Sequence, residues 1–274
     1  MKKLAVIGSP IDHSLSPSIH KIFAEMVGMD ISYEAIEVTP ENFKKDVDRL
    51  FFNLGYEGLN VTLPLKELAN SYSKTNSRNC SLSASTNTLW LEGKEVAGDT
   101  TDGRGLISDL KSKSLKIEGA SLVIVGAGGS ARSVIPSLME CSPKKLLIIN
   151  RTLEKAQNIA SLFTSSSVEI TAGRLGNDLS DLCDGLINTT SAGVLNEHID
   201  YPKNLFHPSS WAYDLSYSSQ QTFFSDQAKK ANCSQIHDGF GMLFRQAAFS
   251  FEIWTGRRPD VEKAIDIFKQ KFSR

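Results

Sequence analysis

An apolar strand that runs directly into glycine constrains this chain more than any other stretch. Ser121–Val125 is followed at once by Gly126-Ala127-Gly128-Gly129-Ser130-Ala131, and a helix-compatible segment continues to about Cys141. Such a string demands a strand, a tight turn and a helix in that order. Gly126 makes the turn out of the strand, Gly128 lets backbone amides approach a ligand, and Ala131 is small enough for close helix packing. The helix start then offers oriented N–H groups and the positive end of its dipole. Together these features read as a cradle for the pyrophosphate of a dinucleotide. A glycine turn with no ligand is the competing reading. Pro136 falls inside the helix and predicts a local kink.

The end of the next strand decides which dinucleotide. A carboxylate about 20 residues past the glycines would hold a ribose diol. Asn150-Arg151-Thr152 stands there instead, with Lys155 close by. A carboxylate would repel a 2′-phosphate, whereas an arginine binds one through a fork of donors. NADP is therefore predicted over NAD. A solvated helix start accounts for Lys155 but not for the missing acid.

Strands and helices alternate along most of the chain, which predicts an α/β fold with mostly parallel sheets. Lys3–Ile7 reads as a strand, a helix follows from about Ser18, and Ile31–Val38 alternates as a strand. Asn42–Phe52 has helical spacing. Leu59–Leu63 reads as a strand broken at Pro64, and Thr88–Leu91 with Val96-Ala97 as a hairpin. From about residue 115 the pattern is that of a doubly wound unit. Its strands are expected at Ser121–Val125, Lys145–Ile149, Val168–Thr171, Gly185–Asn188, Trp211–Leu215 and Ser234–His237. Thr164–Ser167 reads as a loop. Two helices close the chain, at Gly241–Trp254 and Val261–Phe272. The expected architecture is α/β with two domains. Residues 1–104 form a mostly parallel substrate domain completed by helices of 239–274 packing back on it, and residues 105–238 form a Rossmann-like NADP-binding domain.

A length of 274 residues suits that division. The formal net charge of −1 gives no global field for nucleic acid or a membrane surface. No apolar run reaches the roughly 20 residues of a spanning helix. The apolar start of the chain is cut short by Gly8-Ser9-Pro10, so it reads as a buried strand rather than a signal peptide. Cys80, Cys141, Cys183 and Cys233 lack metal or redox spacing and read as reduced packing residues of a cytoplasmic protein.

Several polar residues gather at strand ends of the first half, where ligands of open α/β sheets collect. These are Asn60, Thr62, Asn87 and Thr101, accompanied by Lys66 and Asp102. Read alone, Lys66 is a solvated lysine and Asp102 a helix cap. Read together in this setting, they become a candidate proton-transfer pair. Ser14 and Ser16 offer two hydroxyls suited to a small carboxylate. Ser16 also reads as an N-cap with Pro17 at the first helical position, a role for which Ser14 is not needed. His13 reads as a structural turn residue.

At this point the residues resemble a known family, the shikimate dehydrogenases, over the whole chain. The likeness is carried by Ser14-Leu15-Ser16-Pro17, Asn60–Lys66, Asn87-Thr88-Leu89, Gly98–Gly103, Gly126–Ala131, Asn150-Arg151-Thr152, Asn188–Gly193, and Asp238–Leu243 with Gln246. The resemblance implies NADPH-dependent, reversible reduction of 3-dehydroshikimate to shikimate on the route to chorismate and the aromatic amino acids. It implies that Ser14 and Ser16 hold the substrate carboxylate with Tyr217 nearby, and that Thr62, Lys66, Asn87, Asp102 and Gln246 surround the ring. Lys66 is then the acid/base and Asp102 its partner. On the cofactor side it implies Gly126, Ala127, Gly128, Gly129, Ser130, Asn150, Arg151, Thr152, Lys155, Thr190, Leu215 and Gly239, with Asn188–Gly193 lining the nicotinamide. Arg78 matches a family position only poorly. No metal is implied, and a monomer or homodimer is expected.

The chain also departs from the family. Ala84-Ser85-Thr86 precedes Asn87 where Gly-Ala-Val is usual, so that loop is open to a different setting. Ser71–Ser83 is rich in Ser and Asn and reads as a mobile loop. Two rival functions remain at this level: a quinate/shikimate enzyme using NAD, and a cofactor-binding regulator with a silent pair. The missing acid at Asn150 speaks against the first, and the intact Lys66 and Asp102 against the second.

Overall fold

Val-, Ile- and Leu-rich runs become strands in the computed structural model, which describes residues 1–163, 167–192, 199–202, 204–217 and 221–272. The chain forms two compact units, residues 1–106 with 243–274, and residues 107–242.

The first unit is built on β1 (Lys2–Gly8), followed by α1 (Ser16–Val27) and β2 (Ile31–Glu37). A 3₁₀ turn (Pro40–Asn42), α2 (Phe43–Asp48) and a π turn (Arg49–Asn53) lead to β3 (Gly58–Val61). Next come α3 (Lys66–Tyr72), β4 (Thr75–Asn76), α4 (Arg78–Ser83), β5 (Thr88–Glu92), β6 (Glu95–Asp99) and the start of α5 (Asp102–Ser112). The sheet order is β2-β1-β3-β5-β6-β4. Three of its five pairings are parallel, and β3–β5 and the β5–β6 hairpin are antiparallel. One face is filled by Ala5, Ile7, Phe43, Val47, Leu50, Leu59, Leu65 and Leu89.

The final helices complete this unit. Phe244, Ala247, Ala248 and Phe251 are buried at three- and four-residue spacing in the helix Phe240–Thr255, so they form a single apolar stripe. Trp254, at the end of that helix, lies against Gly58, where a Cβ would stand 2.6 Å from indole Cε2. Its indole N–H donates to the Leu89 carbonyl at 3.2 Å. The last helix, Val261–Phe272, is tied to α1 by Lys271 and Glu25 at 3.0 Å.

In the second unit the elements are β7 (Ser121–Val125), α6 (Gly129–Glu140), β8 (Lys145–Asn150), α7 (Leu153–Ser161), β9 (Glu169–Arg174), β10 (Gly185–Asn188), β11 (Trp211–Asp214), α8 (Phe223–Lys230) and β12 (Gln235–His237). Every pairing is parallel, in the order β12-β11-β10-β7-β8-β9. Counted from β7, this is the doubly wound order, with the switch point between β7 and β10. Strands β10 and β11 are buried throughout, as strands covered on both faces must be. No helix among the described residues is long and apolar enough to cross a membrane.

Some expectations are corrected. Ser71–Ser83 is not a mobile loop: it closes α3, pairs as β4 beside β6 and forms α4. Local hydrogen bonding by its hydroxyls and amides replaces the apolar signal that a strand or helix normally shows. Ser77 caps α4 by accepting from the Cys80 N–H at 3.2 Å, and the Ser73 hydroxyl donates to Asn76 at 2.7 Å. Ser16 is not the N-cap of α1, since the helix begins at Ser16 with Leu15 in the cap position. Ser14 holds the helix start instead, its Oγ accepting the Ser16 N–H at 3.3 Å. Several strand ends shift by a few residues, most at β9. Helix α6 continues across Pro136. Residues 164–166 of the expected loop and Gly193 of the nicotinamide-side string lie outside the described residues.

Candidate active site

The centre of the first unit's polar cluster is the pair at the starts of α3 and α5. Lys66 Nζ lies 2.6 Å from Asp102 Oδ2, with the side chains only 15% and 8% exposed. At that burial the pair is more than a surface ion pair, and removing either partner strands a charge. Asp102 is not spent on capping α5. Its second oxygen, Oδ1, accepts from Asn87 Nδ2 at 2.8 Å. The carboxylate is thus held on both oxygens. Asp102 supplies the one hydrogen bond that Lys66 Nζ makes among the described residues. Two ammonium hydrogens are left to donate.

Asn87 is the hub of the cluster. Its Nδ2 also approaches Thr101 Oγ1 at 2.9 Å and Gln246 Oε1 at 3.2 Å. Its Oδ1 accepts from the Thr101 N–H at 2.9 Å and the Thr88 hydroxyl at 2.8 Å. The backbone around Asn87 is pinned as well: its N–H donates to the Asp99 carbonyl at 3.1 Å and its carbonyl accepts from the Val61 N–H at 2.8 Å. The unusual Ala84-Ser85-Thr86 therefore leads into a fixed setting. Ala84 takes a left-handed turn at φ 49°, Ser85 and Thr86 are buried, and the Thr86 N–H donates to the Lys66 carbonyl at 3.0 Å. Gln246 is brought within reach because Gly105 has no side chain: a Cβ there would stand 2.7 Å from Gln246 Cβ.

Asn60 turns inward. Its Oδ1 accepts from the Tyr33 phenol at 2.7 Å and its Nδ2 donates to the Asn87 carbonyl at 3.1 Å and Ser250 Oγ at 3.0 Å. Tyr33 is stacked on the ring of His20, with centroids 4.1 Å apart and planes 6° apart. Burial pushes the Tyr33 phenol well above its ordinary range, against a smaller opposing hydrogen bond from the Ser16 hydroxyl. Thr62 follows β3 and packs on Gly8, where a Cβ would meet its methyl at 2.5 Å. His13 and Arg78 are exposed.

A separate cradle stands at the strand ends of the second unit. Gly126 has φ +108°, and a Cβ there would meet Thr189 Oγ1 at 2.7 Å, so only glycine fits. Thr189 is itself anchored, its N–H and hydroxyl both donating to the Val125 carbonyl at 2.8 Å. Gly128 is the cap of α6, and around it a Cβ would meet nothing. Ala127 and Ala131 are buried, while Gly129 and Ser130 open the helix with more exposure. No acidic residue occupies the first turn of α6, so nothing there repels an anion. At the end of β8, Asn150 Nδ2 donates to the Thr152 carbonyl at 2.9 Å, and Arg151, Thr152 and Lys155 are exposed. A glycine-lined helix start with cationic side chains at the second strand end fits the two phosphate positions of NADP.

Further along, Thr190 donates its N–H and hydroxyl to Asn188 Oδ1 at 3.2 and 2.8 Å. Asn188 is oriented by Asp214 at 2.9 Å, a buried carboxylate whose titration burial pushes up. Gly239 is explained by packing, since a Cβ there would overlap the Leu215 carbonyl. Burial also pushes up the phenol of half-buried Tyr217. Sequence reading missed Tyr33, His20 and Ser250. Only Ser250 left a signal: it lies four residues after Gln246, on the same helix face.

A doubly wound parallel unit with a dinucleotide cradle, in a chain that also buries a lysine–aspartate pair at strand ends, defines the class of nicotinamide-dependent dehydrogenases. Comparison with known proteins narrows this. The substrate-binding-domain model of shikimate dehydrogenase matches residues 6–89, the shikimate/quinate 5-dehydrogenase model residues 109–193, and the shikimate 5′-dehydrogenase C-terminal model residues 239–266. The shikimate dehydrogenase (NADP(+)) of Idiomarina loihiensis is 41% identical over 94% of each chain. That of Legionella pneumophila (strain Corby) is 39% identical over 97% of this chain and 98% of the relative. The crystal structure of Thermus thermophilus shikimate 5-dehydrogenase, in complex with NADP(H) and shikimate, matches with a TM-score of 0.87. It is 29% identical and covers 98% of this chain and 99% of that one. The chain belongs to the shikimate dehydrogenase family.

Proposed function

We propose that this chain reversibly reduces 3-dehydroshikimate to shikimate with NADPH, an oxidoreductase acting on a CH–OH group in the route to aromatic amino acids. NADPH, when bound, supplies the hydride. Gly126, Gly128 and the start of α6 would hold its pyrophosphate, and Arg151 and Lys155 its 2′-phosphate. The observation that carries the chemistry is the buried Lys66–Asp102 pair clamped by Asn87.

The ring ketone gains a hydride at carbon and a proton at oxygen. Lys66 donates that proton, and its charge stabilises the alkoxide as it develops. A buried lysine loses its proton too easily to serve as an acid without a neighbouring negative charge. Asp102 supplies that charge and holds Nζ in place. Asn87 orients Asp102, and Asn87 and Gln246 present polar edges to the ring hydroxyls. Ser14 and Ser16 take the substrate carboxylate, with Thr62 beside the ring and Tyr217 near the carboxylate. In the reverse direction Lys66 accepts the proton from the shikimate hydroxyl. Residues 1–104 with 239–274 serve substrate binding and residues 105–238 serve NADP.

NADPH consumption measured with 3-dehydroshikimate, and with quinate and NAD as controls in the oxidising direction, tests the proposal. Turnover of 3-dehydroshikimate with NADPH is expected. Turnover of quinate with NAD in its place would overturn the assignment.

A further inference from the structure

Asn87 presents a question of direction. A carboxamide keeps nearly the same shape when flipped, so its partners alone decide which end faces Asp102. The observed orientation places Nδ2 2.8 Å from Asp102 Oδ1. The flipped form would set an oxygen against that carboxylate. Three donors at Oδ1 oppose the flip: the Thr101 backbone N–H at 2.9 Å, the Thr88 hydroxyl at 2.8 Å and, more distant, the Thr101 hydroxyl at 3.2 Å. The first is fixed by the chain, but a hydroxyl rotates to suit its neighbours.

Ser250 is the neighbour that sets the Thr88 hydroxyl. It is fully buried, with Oγ 2.7 Å from Thr88 Oγ1 and 3.2 Å from Thr101 Oγ1. Asn60 Nδ2 donates to Ser250 Oγ at 3.0 Å, and Asn60 is itself oriented through its Oδ1 by the Tyr33 phenol at 2.7 Å. Ser250 thus receives a hydrogen from Asn60, and its own has two acceptors in reach, Thr88 Oγ1 at 2.7 Å and the Gln246 carbonyl at 3.2 Å, of which Thr88 is the nearer. Thr88 in turn points its hydrogen at Asn87. With the Ser250 hydrogen on its nearer acceptor, the donors run one way, from Tyr33 through Asn60, Ser250, Thr88 and Asn87 to the Asp102 carboxylate, where Lys66 closes the series. Chains of aligned donors polarise one another in a dry interior.

We propose that Ser250 is a positioning residue for the dehydrogenase reaction. Through Thr88 it fixes the carboxamide direction of Asn87, and so the geometry of Asp102 and Lys66. The kinetic part of this proposal rests on the function proposed above.

The test uses the full chain with Ser250→Ala, Ser250→Cys and Thr88→Val. One lost buried hydrogen bond, at about 1.4 kcal/mol, corresponds to roughly tenfold in rate. In Ser250→Ala, kcat for 3-dehydroshikimate is expected to fall about tenfold while KM stays within about twofold. Thr88→Val should reproduce the fall, and Ser250→Cys, which retains a weak donor, should recover part of it. A second readout needs no turnover. The side-chain amide protons of Asn87, assigned with Asn87→Asp, should exchange with solvent at least about tenfold faster in the unliganded Ser250→Ala chain.

Unchanged kcat and unchanged exchange in a folded Ser250→Ala chain would overturn the proposal. A raised KM with unchanged kcat would also overturn it, since Ser250 would then serve substrate binding alone. If Ser250→Ala does not fold, Thr88→Val and Ser250→Cys decide by the same criteria. Faster Asn87 exchange in a chain with no turnover would sink the proposed function and leave the positioning role standing.

Discussion

His20 should make the first unit sensitive to acid in a way that one substitution removes. The ring is fully buried among Phe23, Tyr33, Phe251 and Trp254. Neither ring nitrogen has a hydrogen-bond partner among the described residues. Burial lowers its titration from 6.5 to about 3, against a smaller opposing pull from the nearby Asn60 amide. The unfolded chain therefore binds a proton on this residue between those values and the folded chain does not. Stability rises with pH wherever the unfolded state holds more protons. The contribution of His20 is thus present above 6.5 and lost as pH falls toward 3. Each pH unit in that window costs up to about 1.4 kcal/mol. Acidification from about pH 7 to about pH 4.5 should cost roughly 2.5 kcal/mol from His20 alone.

Urea unfolding at about pH 7, 5.5 and 4.5 measures this effect, comparing the unsubstituted chain with His20→Phe. Fluorine-labelled tryptophan separates Trp254, whose ring lies 5.6 Å from His20, from Trp90 and Trp211. Carboxylates titrate alike in both proteins, so the difference in slope isolates His20. A flatter pH dependence is expected for His20→Phe, by about 2 kcal/mol or more over the range. Parallel pH dependences would refute the reasoning, whatever the absolute stabilities. Because the folded ring stays neutral above about pH 4, His20 should contribute no step to the substrate KM between about pH 5 and 8.

Lys66→Ala should lower turnover by at least about 100-fold, the usual worth of a positioned acid, while NADPH binding by fluorescence titration is retained. Unchanged turnover would end the role given to Lys66. Ser14→Ala and Ser16→Ala should mainly raise KM for 3-dehydroshikimate, and a loss of kcat at constant KM would count against a carboxylate-binding role. Arg151→Ala should weaken NADP binding about tenfold or more and leave NAD within about twofold, as expected for a charge-assisted phosphate contact. Calorimetric titration with both nucleotides checks it, and an equal loss for both would remove Arg151 from 2′-phosphate recognition.

Much of this protein is legible in its residues because the signals are local. Gly126, Gly128 and Ala131 follow an apolar strand and open a helix, and their roles depend on φ angles and side-chain size that act within a few residues. The parallel second sheet follows from strands that are apolar on both faces. The absence of an acid at Asn150 speaks to cofactor choice for the same reason. Ser71–Ser83 escapes such reading because its order comes from side-chain hydrogen bonds that no hydrophobic period reveals. The cap of α1 escapes it because Ser14 and Ser16 carry the same chemistry two residues apart.

The sequence by itself determined the fold class, the dinucleotide cradle and the residue types available for proton transfer. Only the tertiary structure decided that Lys66 and Asp102, 36 positions apart, meet at 2.6 Å. It alone joined Asn60, Thr88 and Ser250, across up to 190 positions, behind Asn87. Strand pairing and helix packing set those encounters, and a hydroxyl or carboxamide carries no mark in the sequence of the partner it will find. Burial then gives the encounter its weight, because a lysine and an aspartate exposed to water are a weak pair, while the same two groups in a dry, hydrogen-bonded site cannot lose either partner without stranding a charge.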